Sequence, residues 1–111
     1  MLAAEYLRSR HYRILEQNYR IRGGEIDIIA ENRSYIIFVE VKTRKDDSHG
    51  AAREFVGIAK QRKLIYASRA WLAAHNCEKQ PRFDVIEVYA PEGVTTRKPK
   101  INHLEDAFQA G

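Results

Sequence analysis

The hydrophobic and polar positions along the chain predict a helix followed by a run of strands. Residues 2–10 are predicted to form a helix that is already under way at Met1, with no capping residue in view. Residues 12–18, 25–30 and 35–43 have strand patterns, and the glycine pair at 23–24 and the polar turn at 31–34 separate them. We expect these three strands to form a β-meander.

A second helix is predicted from Ile58 to His75, where apolar residues recur at helical spacing. Its expected sheet-facing arc contains four of these residues, namely Ile58, Leu64, Ile65 and Trp71, and the aromatic residues as a group are expected to lie chiefly in the core. Residues 82–89 return to strand composition and are expected to form the final strand, before a basic loop and a short closing tail. The pattern predicts an α/β fold in which helix packs on sheet.

Composition narrows the class of protein. The chain has 111 residues, 44% of them hydrophobic, which suits one core and predicts a single domain over 1–111. One cysteine excludes an internal disulfide framework, and the four histidines lack the spacing of zinc ligands. No apolar run approaches the roughly 18–20 residues of a membrane span, and no signal-peptide layout is present. We therefore expect a cytoplasmic protein without a membrane partner.

The charge distribution points to a polyanionic partner. Lysine and arginine number 19 against 15 acidic residues, a net charge of +4 that is equally compatible with an ordinary solvated surface. Lys60 and Lys63 lie off the apolar arc of the predicted long helix, and Arg44 and Lys45 directly follow the strand at 35–43. These four residues are the candidates for contacts with nucleic-acid phosphates, with solvated charge as the alternative.

Acidic residues interrupt two strands that otherwise look buried. In the stretch IIFVEVKTR, Glu40 and Lys42 share one face of the strand with Phe38, because alternate residues of a strand point the same way. In the preceding strand Glu25 and Asp27 share a face, and the isoleucines at 26 and 28 are expected to take the opposite one. If the two strands are antiparallel neighbours, the carboxylates converge on Lys42.

Such a cluster needs a compensating charge. Neighbouring buried carboxylates raise each other's pKa and lose hydration, and an ordinary ion pair of Lys42 with Glu40 or Asp27 is one remedy. Another is Mg²⁺ or Mn²⁺, which binds to one or two carboxylates, a backbone carbonyl such as that of Val41, and water. A metal with a lysine beside it suits the hydrolysis of phosphodiester bonds.

The motifs resemble a known nuclease core. GGEIDIIA followed by FVEVKTR, with twelve residues between Asp27 and Glu40, resembles the PD-(D/E)xK nucleases, whose aspartate and E-x-K tripeptide match Asp27, Glu40 and Lys42. NYRIRGGEIDIIA, FVEVKTR, AKQRKLIYASRAWL, RFDVIEVY and INHLEDAF together resemble the YraN family of bacterial endonuclease-like proteins. That family's fold is similar to archaeal Holliday junction resolvases. The resemblance implies a restriction-endonuclease-like mixed β-sheet flanked by α-helices, with an acidic metal site.

Residue roles follow from this resemblance. Asp27 and Glu40 would hold the metal, with help from the Val41 carbonyl, and Lys42 would serve the attacking water. The family's first helix also carries a glutamate at a place that falls before Met1, for which Glu5 is a poor substitute because it lies roughly 140° around the helix.

Three further residues are assigned smaller roles. Glu25 is expected to be an outer partner of the metal site, and Gln61 either contacts a metal-bound water or phosphate or satisfies a backbone group. Asp84 is expected to anchor the sheet or Arg82.

The expected substrate is branched or structured nucleic acid, with DNA favoured, and a homodimer is one expected assembly. Two alternatives stay open. In the first, the chain is a catalytically inactive nucleic-acid-binding module instead of a nuclease, and in the second it is a small interaction protein with a structural charge cluster.

Overall fold

The computed structural model describes residues 2–44, 56–95 and 97–110. The elements follow in the order α1 (Leu2–Ser9), β1 (Arg13–Ile21), β2 (Gly24–Glu31), β3 (Tyr35–Arg44), α2 (Ile58–His75), β4 (Gln80–Tyr89) and β5 (Lys100–Phe108), with a 3₁₀ turn at Gly93–Thr95. Helix α2 has its predicted bounds. The prediction that residues 82–89 form the final strand was wrong, because the closing segment pairs with β4 as a fifth strand.

The strands form one mixed sheet in the order β1-β2-β3-β4-β5. Neighbours are antiparallel except β3 and β4, which are parallel over their whole lengths, from Tyr35–Gln80 to Arg44–Tyr89. A parallel pair needs a long crossover connection, and α2 lies in that connection. The predicted α/β class, a mixed sheet flanked by helices, is confirmed. Neither helix in the described part of the chain has the length and apolar character to cross a membrane.

The two helices cover opposite faces of the sheet. Ala4 and Leu7 of α1 pack in one cluster with Val39, whereas Leu64 of α2 packs in a second cluster with Phe38. Because both faces of β3 are covered, its apolar run from Ile36 to Val39 is buried throughout. This explains why a charged residue at position 40 stands out so clearly in the sequence.

Three expectations about faces fail. Ile26 packs in the α2 cluster and Ile28 in the α1 cluster, so these two residues do not share a face as alternation predicted. Pairing of β2 with β3 ends at Ile28–Val39, and beyond that pair the β2 backbone is no longer held to the β3 register. Ile58 is 62% exposed and Tyr66 is 57% exposed, so neither belongs to the core.

The glycine pair sets how closely α2 approaches β2. A Cβ atom placed on Gly24 would lie 2.6 Å from the Lys63 carbonyl oxygen and 3.0 Å from the Ala67 Cβ, so a side chain there would displace the helix. Gly23 has a φ of 91°, which disfavours other residues. The glycine pair therefore allows α2 to pack closely on β2. This close packing brings the first turn of the helix near the acidic residues of β2 and β3.

Candidate active site where β2 and β3 separate

Asp27 and Glu40 lie at the point where strands β2 and β3 part. The last paired positions are Ile28 and Val39, which leaves Asp27 and Glu40 as the next residue on each strand. The Val41 backbone N–H donates a hydrogen bond of 2.8 Å to Asp27 Oδ2, which fixes this carboxylate beside β3. The predicted antiparallel pairing is confirmed, and the two carboxylates are brought together by it.

Glu40 is the residue whose ionisation is disfavoured by this arrangement. Its side chain is 12% exposed. Burial first, and then the neighbouring charge of Asp27, raise the pKa of Glu40 to about 7, although the Lys60 ammonium opposes the shift. A carboxyl group with this pKa exchanges its proton near neutral pH, which is the range used in general acid–base chemistry.

Lys60 is the lysine that forms ion pairs with the carboxylates of this region. Its Nζ lies 2.9 Å from Glu25 Oε1 and 3.6 Å from Glu40 Oε1, and Glu25 also lies 3.7 Å from Arg20 Nε. The hydrogen bond between Lys60 and Glu25 raises the pKa of the lysine and lowers the pKa of the glutamate. From the sequence, Lys60 is predicted to contact phosphates and Lys42 to lie at the centre of the cluster. The prediction for Lys42 was wrong, because the close approach of α2 brings Lys60 there instead.

Lys42 is half-buried and has no ion pair within the described ranges. Regular pairing of β3 with β4 keeps it on the face of Glu40, opposite Glu87 of β4. The alternative in which Lys42 is a structural ion-pair partner of Glu40 or Asp27 is therefore not observed. An ammonium group that has no ion-pair partner in residues 2–44, 56–95 and 97–110 is a candidate for contact with a ligand.

Glu87 is an acidic residue of this region that sequence analysis missed. Its side chain is fully buried, it accepts a 2.9 Å hydrogen bond from Asn102 Nδ2, and its Oε2 lies 3.5 Å from Arg44 Nε. The signal was present, because Glu87 interrupts the apolar run FDVIEVY in the way that Glu40 interrupts its own strand. Arg44, expected to contact phosphates, thus also serves a buried carboxylate.

The other candidate residues are dispersed. Gln61 Nε2 donates 2.8 Å to the Val56 carbonyl, in agreement with the backbone-satisfying alternative. Lys63 is exposed, and Lys45 lies outside the described residues. Glu5 is exposed on α1, the helix that packs on the opposite face of the sheet from α2. None of these side chains forms a hydrogen bond or ion pair with Asp27 or Glu40 in the described part of the chain.

The donor set provides two carboxylates for a metal. Within residues 2–44, 56–95 and 97–110, no group of three or more His, Cys, Asp or Glu side chains is arranged to hold one. Mg²⁺ commonly takes only one or two protein carboxylates and keeps several waters. Asp27 and Glu40, which repel each other and are oxygen donors, fit that pattern as a partial site.

The raised pKa of Glu40 predicts a pH dependence of the metal-free protein. Between the ordinary value of 4.5 and about 7, the folded state binds more protons than the unfolded state, so the free energy of unfolding falls as pH rises through this window. Glu40→Gln removes the contribution of this carboxyl group to the pH dependence of the free energy of unfolding. Urea unfolding in EDTA at about pH 5 and about pH 8 is expected to show a smaller decline for Glu40→Gln than for the parent. Exposed Glu78→Gln is the control, and parallel declines in parent and Glu40→Gln would contradict the assignment.

Comparison with known proteins places the chain among bacterial relatives. The model of the "Uncharacterised protein family UPF0102" matches residues 1–88. A UPF0102 protein of Caldanaerobacter subterraneus subsp. tengcongensis is 44% identical over 109 residues, which are 96% of this chain and 88% of the relative. One from Alkaliphilus oremlandii is 46% identical over 110 residues, 96% of this chain and 91% of the relative. One from Syntrophotalea carbinolica is 49% identical over 88 residues, 78% of this chain and 72% of the relative.

Proposed function

The chain belongs to the UPF0102 family, and we propose that it is a nucleic-acid-binding, metal-dependent endonuclease of the PD-(D/E)xK type that acts on branched or structured DNA. One observation carries the proposal. Asp27 and Glu40 meet where β2 and β3 separate, and Lys42, without an ion pair among the described residues, follows on the same face of β3. These are the residues at which the sequence resembles that nuclease core.

The pairing of two carboxylates supports a cation-binding role. Burial and Asp27 together hold the pKa of Glu40 at about 7, so ionised Glu40 is costly in the metal-free protein. A divalent cation between the two groups would remove this cost, because it attracts both charges and replaces their lost hydration. Asp27 and Glu40 would hold Mg²⁺ or Mn²⁺, with the Val41 carbonyl as a further oxygen donor.

Each residue of the site would then have a defined task. When bound, the metal supplies Lewis acidity toward a phosphate oxygen and lowers the pKa of water. Lys42 would orient the attacking water or take part in moving its proton, since its ammonium group lies on the face of Glu40. The Val41 N–H holds Asp27 in place. Glu25 would act indirectly, through Lys60, which forms ion pairs with both Glu25 and Glu40.

A catalytically inactive nucleic-acid-binding module is the second candidate. The observation that favours it is Lys60, whose Nζ lies 3.6 Å from Glu40 and compensates part of the negative charge without a metal. Glu25, the other partner of this lysine, lies 2.9 Å from it. In this reading the basic residues bind phosphates and no bond is cleaved. Cytoplasmic location and a homodimer stay predictions from the sequence in either case.

Metal binding is expected to raise the melting temperature. Any ligand that binds only the folded state stabilises it by mass action, so Mg²⁺ or Mn²⁺ added to metal-free protein raises Tm, and the rise grows with the logarithm of the metal concentration above its Kd. Glu40→Gln is expected to abolish the rise, because an amide binds a divalent cation weakly compared with a carboxylate. Exposed Glu78→Gln keeps the rise and controls for the loss of one charge. The same Tm response in parent and Glu40→Gln would remove Glu40 from the metal site.

The activity itself is tested by a cleavage screen. Single-stranded, duplex, flap and four-way DNA are incubated with protein in Mn²⁺, in Mg²⁺ and in EDTA. Cleavage that needs metal and is strongest on flap or four-way substrates is the expected result. Binding without cleavage on every substrate would select the inactive module.

A further inference from the structure

The outer face of α2 carries apolar surface that the fold does not use. Ile58 and Tyr66 are the large hydrophobic residues exposed in the described part of the chain, at 62% and 57%. Both line a groove of about 420 Å³ together with Arg62, Arg69 and Gln109. This volume lies within the roughly 300–1,000 Å³ range of ligand sites. The groove lies on the same helix as Lys60 of the candidate active site.

The groove is positively charged. Arg62 and Arg69 are exposed, and neither has an ion pair among the residues that the structure describes. Its described lining includes no aspartate or glutamate. Two guanidinium groups therefore lie beside an exposed aromatic ring without a neutralising charge in the groove. This combination suits a chain of phosphates that carries flat bases.

Tyr66 is held in place although it is exposed. Its ring lies against Gly23, where an added Cβ would be 3.3 Å from Cε2 and 3.6 Å from Cδ2. Gly23 has a φ of 91°, so the contact depends on a backbone conformation that favours glycine. A ring supported by backbone on one side loses little conformational freedom when it stacks with a ligand on another. The contact with Gly23 thus restricts the movement of the exposed tyrosine ring.

We propose that this groove binds a single-stranded segment of nucleic acid, with a base stacked on Tyr66 and the flanking phosphates paired with Arg62 and Arg69. The proposal rests on the proposed function and extends it to a substrate class. Lys60, whose Nζ lies 3.6 Å from Glu40, is nine positions before Arg69 on α2, about 14 Å along the helix axis and roughly 180° around it, so the groove is on the side of the helix away from the candidate active site. A strand that leaves the cleavage site would therefore pass around α2 to enter the groove. A flap substrate provides such a strand, whereas an intact duplex does not.

A second copy of the chain fits this groove less well. A two-fold symmetric dimer buries the same patch on both subunits, and here it would bring four guanidinium groups together, two from each copy. The groove's described lining has no carboxylate to compensate them. Nucleic acid supplies the opposite charge and also a partner for the aromatic ring.

The test measures the binding of fluorescent oligothymidylate and of a blunt duplex in EDTA. Tyr66→Ala is expected to weaken oligothymidylate binding by about tenfold or more and Tyr66→Phe to keep it within about threefold, because stacking needs a ring and not a hydroxyl. Duplex binding changes little in either variant. Melting temperatures identify any variant that is not folded, and Tyr66→Phe keeps the test valid if Tyr66→Ala is unstable.

The arginines are tested by salt dependence. Arg62→Ala with Arg69→Ala is expected to reduce the log–log salt slope for oligothymidylate by about 1.4, since each phosphate neutralised on a single strand contributes about 0.7. Arg8→Ala with Arg33→Ala removes the same charge from exposed positions outside the groove and is expected to leave the slope unchanged. Equal losses in both double variants would overturn the proposal, because the arginines would then act only through net charge.

The remaining outcomes separate this proposal from the nuclease assignment. If the parent binds and cleaves flap DNA but Tyr66→Ala binds oligothymidylate as the parent does, the groove is wrong and the proposed function stands. If binding depends on Tyr66 while no substrate is cleaved in Mn²⁺, the groove stands and the nuclease assignment falls. A parent that binds no oligothymidylate overturns the groove.

Discussion

Lys42→Ala is expected to lower DNA cleavage by about 100-fold or more, because it removes the group that serves the attacking water. Asp27 and Glu40 stay in place, so the rise of Tm in Mn²⁺ is retained. Single-turnover rates on the best substrate of the cleavage screen, with protein in excess, give the chemical step separately from binding. Nucleic-acid affinity is expected to change little, since one ammonium of 19 basic side chains is lost.

The stability of the same variant distinguishes a catalytic lysine from a structural one. Breaking a buried ion pair costs about 3–5 kcal/mol, but Lys42 has no ion pair within the described ranges. We expect Lys42→Ala to change the free energy of unfolding by less than about 1 kcal/mol. Exposed Lys98→Ala is the charge-matched control and is expected to keep cleavage. Strong destabilisation of Lys42→Ala that metal does not reverse would make the charge in IIFVEVKTR structural.

The sequence predicts the centre of this fold well, for physical reasons. Strand β3 is covered on both faces, so its apolar run is continuous and the charged residues Glu40 and Lys42 that follow it are conspicuous. Helix α2 runs from Ile58 to His75 as its periodicity predicts. The adjacency of Asp27 and Glu40 follows from one antiparallel pairing, which the short turn between β2 and β3 already implies.

The periphery is less predictable. Strand β5 covers the edge of β4, and none of its residues is fully buried, so its apolar pattern is weak. Lys60 was expected off the apolar arc of α2, but in the structure it lies on the side of the helix that buries Leu64 and Trp71, and Gly24 allows that side to approach Glu25 and Glu40 closely. That approach is a property of tertiary packing. Tyr66 is a large aromatic residue of the type expected in the core, and only the structure shows that it is exposed.

Two acidic residues on neighbouring strands show how differently the fold treats buried charge. Asp84 is paired in register with Val39, one residue before Glu40. It is fully buried, yet it accepts hydrogen bonds from Arg82 Nε at 2.9 Å, Arg82 Nη2 at 2.8 Å, the His103 ring Nε2 at 2.7 Å and the Asp106 N–H at 3.0 Å. The expectation that Asp84 anchors Arg82 is confirmed. Among the described residues, Glu40 has no such set of donors, and Lys60 offsets only part of its charge, in the candidate active site.

The pKa values express this contrast. Burial alone would raise the pKa of Asp84, but hydrogen bonds from His103, Arg82 and Asp106 outweigh it and lower the pKa. Asp84 therefore stabilises the fold above its ordinary pKa of 3.8, and this stability is lost as pH falls through its lowered value. Glu40 has the opposite sign, since its raised pKa weakens the fold as pH rises.

Asp84→Ala is accordingly expected to lower the free energy of unfolding by about 3–5 kcal/mol, the largest effect on stability that we predict. The Arg82 side chain, only 10% exposed, would lose its bidentate partner and keep a buried charge. Urea unfolding at neutral pH measures the loss. Glu105→Ala removes a different partner of the same guanidinium, at 3.6 Å and 60% exposed, and is expected to cost less than about 1 kcal/mol. Similar losses in the two variants would mean that the donors around Asp84 only offset its desolvation, and that Asp84 does not anchor β4 and β5.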